Sequence, residues 1–272
     1  EDYTGPGQAG RVDIRSFLGR GYDGLDSAFD FPLMWAIRSA IAQEHSGLDE
    51  LEREIAHSAA AWAGSGAVMA HMLNNHDTPR FLSEAAGNAG NDPWQDPPPQ
   101  PPPADVESYR KHMLGLTLML TLPGIPVLYY GDEIGLAGAN DPDSRRTLPD
   151  VLASAGLSTA QAEVLALSGR LGRLRACSTT LRRGQRQILR SGTDHSVALH
   201  QHEASPPLVV ALSRARADFS VSVANVPPGS YREVLFAAAA PLTVAADGVA
   251  NLPLRALRPA IYLRADDPCA SD

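Results

Sequence analysis

The chain has 272 residues, 44% hydrophobic and 20% charged, with 23 basic and 31 acidic side chains and a net charge of −8. This composition excludes a wholly disordered, collagen-like or disulfide-dense chain, and no run approaches the roughly 18 apolar residues of a membrane span. The acidic balance repels a phosphate backbone, which argues against nucleic acid as a partner and favours a neutral substrate.

The first residues, Glu1-Asp2-Tyr3-Thr4-Gly5, hold neither the basic nor the apolar region of a signal peptide, and there is no initiator Met. The chain therefore reads as a piece of a longer protein. Leu25–Phe31 is strand-like, Leu33–Ala42 has helical apolar spacing, and Leu48–Trp62 carries a second, more charged helical pattern. Ala67–Leu73 is a short buried run that ends in Asn74-Asn75-His76-Asp77. The proline-rich stretch Asp96–Pro103 predicts a polyproline II spacer in a surface loop, either a docking site for a proline-recognising partner or a bland insertion. Asp105–Leu122 predicts a helix stopped by Pro123-Gly124, and Ile125–Tyr130 predicts a buried strand running into Gly131-Asp132-Glu133. Thr159–Cys177 predicts another helix, with apolar positions Val164, Leu165, Leu167, Leu171 and Leu174. Strand alternating with helix predicts βα units and a parallel sheet.

The pattern changes between residues 180 and 188. Short alternating runs follow at Val197–His200, Leu208–Leu212, Ser220–Val223, Tyr231–Phe236 and Ala260–Leu263, punctuated by Pro206-Pro207 and Pro227-Pro228-Gly229. They predict a small antiparallel β-sandwich. The expected division is an α/β unit over 1–184, the sandwich over 185–266, and a fraying tail over 267–272. Cys177 and Cys269 are too few for a disulfide framework or a zinc site, and their pairing is not legible. The eight histidines show no metal-ligand spacing, so no metal site is expected in this chain.

Candidate chemistry sits where the predicted strands end. Asn75-His76-Asp77 follows one strand and Tyr129-Tyr130-Gly131-Asp132-Glu133 follows another. Parallel α/β folds converge their active-site loops at those ends. A carboxylate beside a histidine suits glycoside cleavage, which needs carboxyl groups as acid, base or nucleophile around an oxocarbenium-like state. The bland reading of Asn-His-Asp is a strand-end turn with its side chains hydrogen-bonded. Glu133 reads as a structural strand-end residue.

Met72–Phe81 (MLNNHDTPRF), followed by Tyr109–Glu133 (YRKHMLGLTLMLTLPGIPVLYYGDE), resembles the α-amylase family, glycoside hydrolase family 13. Leu25–Trp35 (LDSAFDFPLMW) resembles the stretch after that family's catalytic glutamate, and Leu181–Gly184 followed by β-rich sequence resembles its last barrel helix and C-terminal domain. The resemblance implies the C-terminal half of a (β/α)8 TIM barrel, about strands 5–8, followed by a small antiparallel sandwich. It implies that Asp77 stabilises the transition state and grips sugar hydroxyls at the cleaved ring, and that His76 hydrogen-bonds the same ring. Asp141 and Arg145 match a loop that holds a more distant glucose. Arg80 is grouped with these binding residues, as a brace of the site or as the partner of a carboxylate. Glu1 matches the catalytic acid/base, a match that rests on the residues after it.

The nucleophilic Asp of the family lies upstream, on a strand this chain does not contain. The missing half of the barrel is thus an implied partner, and calcium is implied only in the intact enzyme; no cofactor is evident in this chain. The resemblance points to a retaining hydrolase of α-glucans or malto-oligosaccharides, inactive as this piece alone. Transglycosylases and isomerases of the same family, and non-catalytic sugar-binding relatives, are the alternatives. Many relatives that degrade polymers are secreted, because starch cannot enter a cell.

Overall fold

A computed structural model of the chain describes residues 7–19, 23–88, 102–148, 156–236 and 240–271. Glu1 and its neighbours, and residues 96–101 of the proline-rich run, lie outside the described residues.

Three parallel backbone segments lie side by side. Val68 N and Ala70 N donate to Asp26 O and Ala28 O, and Asp30 N donates to Ala70 O. Strand β1 (Ala70–His71) pairs in parallel with β2 (Ile125–Pro126), extended by the bond from Val127 N to His71 O. The buried strand predicted over Ile125–Tyr130 is therefore much shorter in the structure. A strand persists only where a neighbour pairs with it: among the described residues the segment 125–127 is paired on one side, and the segment 25–30 meets a further parallel neighbour only at the single Leu18–Leu25 bridge. The flank beside them exposes Val12, Phe17, Leu25 and Phe29, and Val68, Ile125 and Leu128 are exposed as well.

Helices follow each segment. Asp30 caps α2 (Phe31–Ile37) by accepting from Leu33 N at 3.1 Å, with Pro32 in the first turn. Its other carboxylate oxygen accepts from Trp62 Nε1 at 2.9 Å, which ties α2 to α3 (Leu48–Trp62). The helical run predicted over Leu33–Ala42 continues past α2 as a π-helical turn, Arg38–Ala42. Helix α4 (Phe81–Ala85) is short. Helix α5 (Val106–Thr121) starts at Asp105, which accepts from Ser108 N at 2.7 Å, and it is buried nearly all round. Its C-terminal carbonyls receive the Arg175 guanidinium, with Nη1 2.9 Å from Leu120 O and Nη2 2.5 Å from Gly124 O. Helix α6 (Thr159–Cys177) has a Ser158–Gln161 capping box and buries Val164, Leu167, Leu171 and Leu174. Leu165 points outward instead, 38% exposed. Helix α1 (Gln8–Phe17) precedes all of these and has no counterpart in the sequence reading.

Short α7 (Thr179–Arg183) leads straight into antiparallel strands. These are β3 (Gln185–Gly192), β4 (His195–His202), β5 (Ser205–Ser213), β6 (Phe219–Val223), β7 (Gly229–Glu233), β8 (Leu242–Val244), β9 (Ala250–Leu254) and β10 (Arg258–Arg264). Six form one sheet in the order β3-β4-β5-β10-β7-β8, and β6 pairs with β9. Period-two alternation divides the large sheet between two cores. Leu208, Val210, Leu212, Ile261 and Leu263 join the helices, in one cluster with Leu114, Leu118 and Leu171. Val209, Ala211 and Tyr262 face Val221, Val223, Leu252 and Leu254 of the small sheet. Buried polar clasps cross the same seam. Glu52 receives both Arg186 Nη atoms at 2.7 Å, and Arg214 Nη1 donates to Ser46 O at 2.7 Å.

The expectation of a fraying tail is corrected. Pro268–Ser271 form a 3₁₀ turn, and Cys269 is disulfide-bonded to Cys177 at the end of α6, closing a loop of 92 residues. The cross-link removes unfolded-state entropy that spacing alone could not reveal. Cys269→Ser is expected to lower stability by about 2–4 kcal/mol, read as a drop in the urea midpoint. An unchanged midpoint would show that the bridge contributes nothing.

Candidate active site

The loop after β1 holds its shape through its own side chains. Asn75 N donates to Thr78 Oγ1 at 3.1 Å, and Asp77 N donates to Asn75 Oδ1 at 2.9 Å. This turn leaves His76 and Asp77 exposed, with His76 Nε2 3.1 Å from Asp77 Oδ2. The Asp141–Arg145 loop comes over from the other side. Arg145 Nη2 lies 3.3 Å from Asp77 Oδ1, and its Nε lies 3.0 Å from both Asp141 Oδ1 and His76 O. Four of the residues singled out in the sequence, His76, Asp77, Asp141 and Arg145, thus meet in one open cluster, although 64 residues separate Asp77 from Asp141 in the chain. Asp77 and Asp141 both face solvent there, and Asp77 is flanked by one guanidinium and one imidazole. Such a carboxylate can stabilise developing positive charge and accept from ring hydroxyls.

Arg80 differs from expectation. It is fully buried, so it does not reach a sugar in the open cluster. Its Nε donates to Ser144 O at 2.8 Å, Nη1 donates to Tyr130 O, and its Cζ lies 4.0 Å from the Tyr129 ring centroid and 4.5 Å from that of Tyr130. These contacts are those of a brace, and the ion pair with Asp132 is that of a carboxylate partner, so the geometry is compatible with both readings of Arg80. Its carboxylate neighbour Asp132 is at 3.7 Å.

Beneath the cluster lies a buried polar layer. Asn74 Nδ2 donates to Asp132 Oδ1 and Oδ2 at 3.1 and 2.9 Å, and His112 Nε2 meets Asp132 O at 2.7 Å. Burial pushes the Asp132 carboxyl up to about 7, against the pull of Asn74 and Arg80. Burial also lowers His112 to about 4, leaving a neutral ring. Tyr129 is raised to about 12, by burial first and then by its hydrogen bond with Tyr130. Glu133 turns back to accept from Gly131 N at 2.8 Å, a local structural bond. Gly131 has φ 87°, and a Cβ there would sit 2.7 Å from Leu136, so the strand end turns as only glycine readily allows. Among the described residues, no group of three or more His, Cys, Asp or Glu is placed to hold a metal.

Two supporting residues escaped the sequence reading. Asp143 accepts from Ala139 N at 2.7 Å and pairs with Arg146, which folds the Asp141 loop. Arg38 lies in an apolar helical run whose periodicity explained its neighbours and hid it. The one available signal was a charged residue between Ile37 and Ile41.

A family model described as the alpha-amylase catalytic domain matches residues 14–162. The cyclomaltodextrin glucanotransferase of Niallia circulans is 28% identical over 213 residues, which are 77% of this chain and 26% of that protein. Neopullulanase 2 of Thermoactinomyces vulgaris is 37% identical over 78 residues, 29% of this chain and 10% of that protein. An Anoxybacillus α-amylase structure aligns with a TM-score of 0.73 and 26% identity, covering 93% of this chain and 50% of that one. The Geobacillus thermoleovorans α-amylase, solved with acarbose, aligns with a TM-score of 0.74 and 24% identity over 96% of this chain and 53% of its own. The chain spans about half the length of these structures and smaller shares of the two relatives matched by sequence.

Proposed function

The chain belongs to the alpha-amylase family, and on that premise we propose that it is part of a retaining α-glucan hydrolase, contributing about strands 5–8 of a (β/α)8 barrel and a C-terminal sandwich. Residues 1–184 belong to the catalytic barrel and 185–266 to the sandwich in this reading. The observation that carries it is the cluster of His76, Asp77, Asp141 and Arg145 at the carboxyl ends of parallel segments. Glu1 protonates the glycosidic oxygen and later deprotonates water. An upstream Asp forms the glycosyl-enzyme, and Asp77 stabilises the charge between these states. Acid and nucleophile then stand about 5–5.5 Å apart, as retention requires. His76 and Arg145 orient Asp77, and with Asp141 they bind sugar hydroxyls.

Maltoheptaose given to the intact polypeptide is expected to be cut with the α-anomer released first, read by proton NMR. Release of the β-anomer would overturn retention. The 272-residue chain alone is expected to give no turnover, and hydrolysis by it would overturn the assignment of the nucleophile outside it. A second reading, glucosyl transfer, draws on the 213-residue match to a glucanotransferase. A glucose acceptor in the assay separates the two, because only transfer yields acceptor-extended products.

A further inference from the structure

We propose that Arg38 is a positioning residue that fixes both ends of the loop carrying His76 and Asp77. Its Nη1 donates to Leu73 O at 3.0 Å and to Pro79 O at 3.1 Å. Those two carbonyls stand immediately before and immediately after the Asn74–Thr78 turn. One nitrogen therefore sets the width of the loop at its base, while the bonds at Asn75 and Asp77 set its internal shape.

The guanidinium is itself held from a third element. Arg38 Nε lies 2.8 Å from Glu84 Oε2, on α4, and Gln43 Nε2 donates to Glu84 Oε1 at 2.7 Å. Trp35 flanks it, with its ring centroid 5.2 Å from Cζ. The backbone around it is π-helical, with Gln43 N bonded to Arg38 O at 3.0 Å, a local departure from the α-helix that often accompanies functional sites.

Energetics favour a role beyond packing. Arg38 is 1% exposed in a helix whose neighbours are Met34, Ala36, Ile37 and Ile41. Burial works against its charge, and Glu84 opposes that. An apolar residue of similar size is generally no worse than a buried ion pair for stability. What an apolar residue cannot do is hold two backbone carbonyls in a fixed relation. A planar guanidinium does this better than the flexible, point-like ammonium of lysine. Loosening the base of the loop moves the Asp77 carboxylate relative to the reacting ring, and a misplacement of about 1 Å can cost about 100-fold in rate.

The kinetic consequence rests on the hydrolase reading; the clamp does not. Two measurements keep the two apart. In the intact polypeptide, Arg38→Lys and Arg38→Met are expected to lower kcat on maltoheptaose by about 10-fold and about 100-fold, with KM within about threefold of the parent. In the 272-residue chain, hydrogen exchange of the amides at 74–78 is expected to rise in both variants, while α5 and β5 keep their protection. Parental kcat and parental loop exchange in Arg38→Lys would overturn the proposal. A loss of protection across the whole molecule would overturn it too, since Arg38 would then be a general stabiliser. If the parent polypeptide has no turnover at all, the hydrolase reading falls, and loop exchange alone decides the clamp.

Discussion

On the proposed hydrolase reading, replacing Asp77 by Asn in the intact polypeptide is expected to lower kcat on malto-oligosaccharides by about 10²–10³-fold and to leave KM within about threefold. The substitution keeps the size of the side chain and one carbonyl oxygen, so contacts to ring hydroxyls largely survive. It removes the negative charge that the exposed carboxyl group offers between His76 and Arg145. A glycosidic bond carries little charge in the ground state and a partial positive charge at its cleavage. The lost interaction therefore belongs to the transition state, and its absence appears in kcat rather than KM. Steady-state kinetics with maltoheptaose decide the matter. A rise in KM at unchanged kcat would make Asp77 a binding group only and would remove it from the chemistry. Parental kinetics would remove it from the site.

His200→Leu is expected to make the chain more stable at pH 7 and to abolish much of its sensitivity to acid. His200 lies in β4, in register with Leu208 of β5 on the face turned toward the helices, and neither ring nitrogen has a hydrogen-bond partner among the described residues. Burial, together with the Arg186 and Arg175 charges, lowers it to about 3, so the folded ring is neutral. The unfolded ring titrates near 6.5. Between these values the unfolded chain binds the proton and the folded chain does not. Stability is therefore lost as pH falls from about 6.5 toward about 3, at about 1.4 kcal/mol per pH unit from this group. Leucine takes no proton and leaves no polar atom unsatisfied, which adds about 1 kcal/mol at pH 7.

Two neighbours of the site bend the same profile in opposite directions. Neutral His112 adds acid sensitivity down to about pH 4, and Asp132, with its folded value raised to about 7, loses stability as pH rises from about 4 to about 7. Both are common to parent and variant, so the difference between their urea midpoints at pH 7 and pH 4.5 isolates His200. Equal shifts in the two proteins would show that residue 200 does not titrate in this range.

The sequence was most informative where one physical signal dominated. Helix α5 was legible because its long apolar run is bounded by Asp105 and by Pro123-Gly124, and the structure places its caps within a residue of those limits. The open cluster was legible only through the family resemblance carried by Asn75-His76-Asp77 and by Asp141 with Arg145, whose side chains the fold brings within hydrogen-bond reach of one another. Helix α1 was not: it is only ten residues long, with a glycine inside it, and Ile14 is the one large apolar side chain it buries. Strands β8 and β9 are three and five residues long, and a proline within β9, Pro253, weakens its strand signal. Arg38, Arg80 and Asp132 form a class of their own. Each is a charged group whose purpose depends on carbonyls or amides distant in the chain, and no local pattern encodes such a partnership. Arg80 stands out in the sequence only as a charge three residues after Asp77, and its actual partners, Ser144 O, Tyr130 O and Asp132, lie 50 or more residues further on.

The division of the large sheet between two cores has a consequence for how this chain can be subdivided. The leucines of β5 and β10 and those of α5 and α6 belong to a single apolar cluster. Arg186 and Arg214 reach from the strands into α3 and the turn before it. A cut at Gly184 would therefore not release two modules. It would strip α5 of its cover on one side and leave the sheet with a bare greasy face on the other. The strands after Gly184 are better viewed as a fourth wall of the helical layer than as an appendage, and recombination among relatives would have to carry both pieces together.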